Sequence, residues 1–170
     1  MKKVYLVLSI CISITLLTSC TTEDIDDQSS LIGVWKLTSW TINTAIDLDN
    51  DGIASTEFSP GCLIDSDLTF MDDSNGTIFY SSSVSYSTRM EDGNMVFMTA
   101  CTTDSERVPS LMSYTTSDSE IIINNDGVEF VLALNGNTLS MLVPNDFIAK
   151  DNETSETTVS QDVTYIYTRQ

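Results

Sequence analysis

From residue 31 onward apolar and polar side chains alternate with a period of two, broken at short intervals by Asn, Asp and Gly. Such a period puts successive side chains on opposite faces of an extended chain, which is the pattern of half-buried β-strands. Residues 31–42 (LIGVWKLTSWTI) predict a long first strand. Residues 67–71 and 77–80 flank Asp72-Asp73-Ser74-Asn75-Gly76, a hairpin whose final Asn-Gly suits positive φ angles. Residues 94–101 and then 110–115 continue the meander, and 120–124 and 128–134 surround the turn Asn125-Asp126-Gly127. Asn135-Gly136 leads into a strand over 138–143, and 162–169 (DVTYIYTR) closes the chain, with Val163, Tyr165 and Tyr167 on one face. Residues 151–161 (DNETSETTVSQ) read as a polar connection. No stretch of ten residues after position 20 carries a helical period. Eight or nine strands joined by short hairpins must dispose of two sheet edges, and closure does so completely. The expected fold is therefore all-β, an antiparallel up-and-down barrel of about eight strands, with a two-sheet β-sandwich as the alternative.

Charge narrows the function. The 170 residues hold 25 acidic against 7 basic side chains and no histidine, a net charge of -18. That charge repels phosphate backbones and anionic lipid headgroups, which excludes nucleic acid as a partner and electrostatic docking to an acidic membrane. Without histidine there is no Ser-His-Asp or Cys-His catalysis and no His-ligated zinc. The carboxylates sit mainly in turns, hydrated and ionised, whereas a general acid needs a raised pKa in a cleft. A non-enzymatic protein is expected.

The first twenty residues supply an address. Lys2 and Lys3 precede an apolar run from 4 to 17, and Leu17-Thr18-Ser19-Cys20 follows. The run is short for a membrane span and lacks a basic stop-transfer flank, so residues 1–19 read as a secretory signal. Leu-Thr-Ser-Cys resembles the bacterial lipobox, which implies acylation of Cys20, palmitate included, and cleavage in front of it. Removal of the signal takes two basic and no acidic residues, leaving a mature chain of net charge -20. Residues 20–30 then form an acidic tether with Glu23, Asp24, Asp26 and Asp27, too polar to bury. This acid cluster resembles the signal by which Bacteroidetes-type bacteria send lipoproteins to the outer face of the outer membrane. An ordinary acidic linker is the other reading.

With Cys11 in the signal and Cys20 lipidated, Cys62 and Cys101 remain as one pair in an oxidising compartment. Their disulfide would close a loop of about 40 residues, worth roughly 3 to 4 kcal/mol in the chain-entropy view. Two buried thiols are the alternative.

Residues 31–170 form one expected domain. Their opening, Leu31-Ile32-Gly33-Val34-Trp35-Lys36-Leu37, resembles the Gly-x-Trp start of lipocalin-like domains. Together with Thr69-Phe70, Asn75-Gly76 and the closing Tyr165-Ile166-Tyr167-Thr168-Arg169, it is similar to the short lipocalin-like lipoproteins of Bacteroidetes. The resemblance implies that Trp35 plugs one barrel end with Arg169 packed on its indole.

Two binding features follow. Asp47, Asp49 and Asp51, with Gly52 behind them, occupy positions one, three, five and six of an EF-hand-type calcium loop. The Ile53 carbonyl would be the position-seven ligand, and Glu57 falls at position eleven where twelve is usual. A structural calcium ion and a solvated loop held by Asp side chains on nearby backbone are both consistent with this pattern. Met71, Phe79, Met95, Phe97, Met98, Phe130 and Met141 are available either to line a lumen for a small apolar or amphipathic ligand or to fill a core. The sequence thus leaves two functions: a lipid-anchored ligand binder, or a filled barrel acting as a protein-binding, inhibitor or assembly module at the cell surface.

Overall fold

A computed structural model describes residues 31–102, 107–117 and 120–170. The signal, Cys20 and the acidic tether lie outside these residues. Eleven strands follow in chain order: β1 (Gly33–Ile46), β2 (Ser55–Phe58), β3 (Asp67–Phe70), β4 (Asn75–Phe79), β5 (Ser83–Glu91), β6 (Asn94–Thr102), β7 (Ser110–Ser117), β8 (Glu120–Asn125), β9 (Val128–Asn135), β10 (Thr138–Asp151) and β11 (Thr157–Arg169). Gly61–Leu63 forms a short 3-10 turn.

Eight strands close into a ring in the order β1-β3-β4-β7-β8-β9-β10-β11, and β11 returns to β1, every pairing antiparallel. The ring is the expected up-and-down barrel, and its closure removes the sandwich alternative. Its interior is packed with side chains: Trp35, Leu68, Phe70, Ile121, Ile123, Leu132, Leu139, Met141 and Tyr167 retain almost no exposed surface. Trp35 and Arg169 are cross-strand partners in β1 and β11. The Arg169 guanidinium lies 5.8 Å from the indole centroid and donates to the Ile32 carbonyl at 2.8 Å, while the indole N–H donates to Leu31 at 2.8 Å. A cation over an indole face contributes about 0.5 to 2 kcal/mol.

The meander departs from the sequence reading in one respect. β4 pairs directly with β7, and β5–β6 leaves the ring as a hairpin, joined to β10 by a parallel contact of Tyr86, Ser87 and Thr88 with Ala149, Lys150 and Asp151. Among the described residues β2 pairs only with β1. These attachments exist because β1, β10 and β11 are each 13 or 14 residues long and outrun the other ring strands. Beyond the ring they continue as a second sheet in the order β2-β1-β11-β10-β5-β6, which shares three strands with the barrel.

Two bulges shape that extension. One between Leu37 and Ser39 shifts the inward register of β1 from Trp35 and Leu37 to Trp40 and Ile42. The other, between Val143 and Phe147, accommodates Pro144, after which Phe147 and Ala149 are buried. This second bulge hides the latter half of β10 from a reading by alternation. The supposed polar connection of 151–161 is a short turn, and β11 already begins at Thr157. Asp151 organises that turn by accepting from the Glu153 and Thr154 amides at 3.0 and 2.8 Å, and these bonds hold its carboxyl below the usual range.

Gly76 also differs from its sequence role. The positive φ of that hairpin is at Ser74 (61°), not at Gly76, which is a buried β4 residue. A Cβ there would collide with the Thr69 carbonyl oxygen and the Met112 methyl group. Gly76→Ala should therefore cost about 3 kcal/mol through overpacking. Gly136→Ala, at φ 57° with open space around it, should cost only about 1 kcal/mol of backbone strain. Urea unfolding of the two variants checks the difference, and equal losses would refute the packing account.

Candidate functional site

Among the described residues the second sheet has two free edges, β2 and β6, and the chain ties them without pairing them. Cys62, in the turn after β2, and Cys101, in β6, form the expected disulfide, with Cα atoms 5.6 Å apart. Four residues earlier along β6, the Asn50 side chain donates to the Phe97 carbonyl at 2.9 Å and accepts from the Phe97 amide at 3.0 Å. One side-chain amide thus replaces the donor and acceptor of a neighbouring strand.

Between these two ties lies a chamber of about 790 Å³. Its apolar wall is aromatic because the β1 bulge turns Trp40 inward beside residues from the attached strands. Trp40 stacks on Phe58 with centroids 4.4 Å apart and lies 6.0 Å from Phe147, which in turn packs on Tyr86 at 4.5 Å. Ile46, Leu48 and Phe97 complete the apolar surface. The Trp40 indole N–H is satisfied by the Ser59 carbonyl at 3.0 Å, which anchors the segment after β2. A second hollow of about 400 Å³ shares Trp40, Val84 and Tyr86 and is floored by Asp146, Phe147 and Tyr165.

Polar groups are arranged unevenly around this box. Tyr165 donates to the Asp146 carboxylate at 2.5 Å. Burial first, and then that bond, raise the Tyr165 pKa above its ordinary value. Burial, with Asp146 second, pushes Tyr86 up to about 12 and also raises Tyr80. Tyr167, enclosed in the ring with no hydrogen-bond partner for its hydroxyl among the described residues, and Tyr114 are raised chiefly by burial.

The 47–57 loop forms one rim of the chamber. Oxygens of Asp47, Asp49 and Asp51 lie within 4.8 Å of one another. Asp47 accepts from the Asp51 and Gly52 amides at 3.0 and 2.9 Å, and Asp51 from the Ile53 amide at 2.8 Å. The loop's Asp side chains therefore bond to nearby backbone while three carboxylates converge. Glu57, in β2, lines the chamber without joining that cluster, and the Ile53 side chain is 70% exposed.

Comparison with protein-family models, with curated proteins and with solved structures finds no match for this chain. Of the residues anticipated as a ligand lining, Phe97 lines the larger chamber. Met141 is core, while Met71 and Met95 face outward. Sequence reasoning missed Trp40, Phe58, Tyr86 and Phe147 as a group. Trp40 and Phe147 follow bulges, Phe58 belongs to a four-residue strand, and Tyr86 is among Ser and Thr. The weak signal was an aromatic recurring in segments otherwise too polar to enter a core.

The tyrosines provide a test of burial. An unfolded chain ionises its tyrosines near pH 10, whereas folded Tyr86 keeps its proton to about 12. Between those values the folded state binds more protons, so the tyrosine contribution to stability falls as pH rises from 10 to 12 and is constant below 10. Tyrosinate absorbance should stay low through pH 10 and rise together with loss of structure. Ordinary titration near pH 10 with the fold intact would show that these rings are open to solvent.

Proposed function

We propose that the protein is a lipid-anchored lipoprotein of the bacterial outer membrane, lipocalin-like in fold. In this reading it binds a small apolar or amphipathic molecule without catalysing a reaction. The observation that carries it is the aromatic chamber of about 790 Å³, within the range of small-molecule sites. The ring itself is filled, so the ligand belongs outside it, between the β1–β2 arm and the β5–β6 hairpin. The closed eight-stranded ring and the Trp35–Arg169 pair support the lipocalin-like reading. The lipobox-like Leu17-Thr18-Ser19-Cys20 supports the anchor, and the acidic tether supports exposure at the cell surface.

The filled ring also suits a protein-binding module. Ile122 and Val131 are cross-strand partners on the outer face, and Leu142 of neighbouring β10 is exposed beside them. Native mass spectrometry of protein extracted from its own membrane separates the readings. The expected species is a chain that begins at an acylated Cys20 and carries a small organic ligand. A stoichiometric protein partner and an empty chamber would replace the first reading with the second.

The 47–57 loop would hold a structural calcium ion through Asp47, Asp49, Asp51 and the Ile53 carbonyl, with Glu57 left at the chamber wall. Its support is the convergence of the three carboxylates. Calcium at 100 times its dissociation constant would add about 2.7 kcal/mol, moving the melting temperature by several degrees. Magnesium should do less, since it demands a tighter octahedron. Asp47→Asn with Asp49→Asn should remove most of the calcium effect. Equal melting temperatures in calcium and chelator at matched ionic strength would leave the loop a hydrated surface.

A further inference from the structure

We infer that the chamber selects an organic cation: a flat apolar body bearing one ammonium or quaternary amine. This inference rests on the small-ligand reading above and names the chemical class of its ligand.

Three observations converge. The wall offers aromatic rings from four separate strands, Trp40, Phe58, Tyr86 and Phe97. Their faces attract a cation that has lost part of its water, in addition to the apolar contact they give a flat ring system. The rim carries Asp49, Asp51 and Glu57, and among the described residues no Lys or Arg side chain lines the chamber. Among the described residues the basic groups are engaged elsewhere or face other surfaces. Lys36 pairs with Asp67, Arg89 with Glu91, Arg107 holds Tyr80 and Ser83, Arg169 covers Trp35, and Lys150 borders the smaller hollow. Among the described lining residues the only charges an anion would meet are carboxylates; a cation would meet those carboxylates at the rim and aromatic rings inside.

The dimensions point to a small molecule. Phe97 and Cys101, where the two ties grip β6, are four residues apart, or about 13 Å along a strand. An added peptide strand would need the Phe97 amide and carbonyl, which Asn50 already occupies. A bicyclic ring system with a short cationic arm fits between the ties.

The test uses the full mature chain carrying Cys20→Ser, so that no acyl chain competes for the chamber, in chelator, so that no divalent ion competes for the carboxylates. Calorimetry compares naphthylmethyl-trimethylammonium, naphthylmethanol and naphthalenesulfonate at equal ionic strength. The cation should bind roughly tenfold more tightly than the alcohol, and the sulfonate most weakly. Asp49→Asn with Glu57→Gln should weaken the cation severalfold more than the alcohol, with an unchanged melting transition showing that the fold is intact. Phe58→Ala, which removes the ring stacked on Trp40, should weaken both. Equal affinity for cation and alcohol, or loss of both to the same degree in the acid variant, would overturn the inference while leaving a small-ligand chamber. Tighter binding of an extended lysine-rich peptide would overturn it in favour of a peptide groove. Failure of all three probes to bind would remove the ligand-binding reading itself.

Discussion

Backbone pairing at strand edges is the constraint on which this architecture rests. An N–H or C=O at the edge of a sheet needs a partner or water, and an open edge invites association with another chain. The eight-stranded ring solves this at one level and creates the problem again at the next. β1, β10 and β11 are adjacent and longer than the strands that complete the circle, so their far halves emerge as a three-stranded sheet. β2 takes the exposed side of β1, and β5 takes that of β10. Two edges still remain, on β2 and β6. The disulfide and the Asn50 amide bring them together at two points and leave space between. The chamber follows from a second ring that is tied without being hydrogen-bonded shut.

That incompleteness explains why the larger cavity lies outside the barrel. Closing the gap with a paired strand would satisfy more backbone and leave less volume; leaving it open without ties would let the hairpin swing on a short parallel contact. The disulfide constrains the chain over a sequence separation of 39 residues, and Thr88 adds a half-buried side-chain bond to Thr158 at 2.9 Å behind the hairpin. The hollow is thus held from both sides. It is also aromatic inside and acidic at its rim, and this combination makes charge matter to whatever enters it.

The barrel was legible in the sequence because its strands bury one face and turn at Asn, Asp or Gly. Leu139 and Met141, and Val163, Tyr165 and Tyr167, alternate as a ring strand requires, and the structure buries them. The Cys62–Cys101 bond was legible by counting cysteines. The chamber was not legible, since it is assembled from departures from that alternation. β2 is four residues long, β5 buries few apolar side chains among Ser, Thr and Arg, and β10 resumes only after Pro144. The Asp47-to-Asp51 spacing stood out, whereas Asn50 within it carries no comparable signal, because its role depends on a strand edge 47 residues away. Gly76 shows the same limit: Asn-Gly suggested a turn, but the reason for glycine there is the Thr69 backbone across the sheet.

The division between scaffold and site can be followed along β1 alone. Trp35 lies before the Leu37–Ser39 bulge, with no exposed surface, its N–H bonded to Leu31 and its ring under Arg169. Trp40 lies after it, bonded to Ser59 and stacked on Phe58. In a strand without the bulge, a period of two would place positions 35 and 40 on opposite faces. The bulge lets both tryptophans face inward, one packed into the closed ring and the other forming the wall of the open chamber. A local irregularity in pairing thereby lets a single strand serve two environments, one sealed by side-chain packing and the other left accessible between two tied edges.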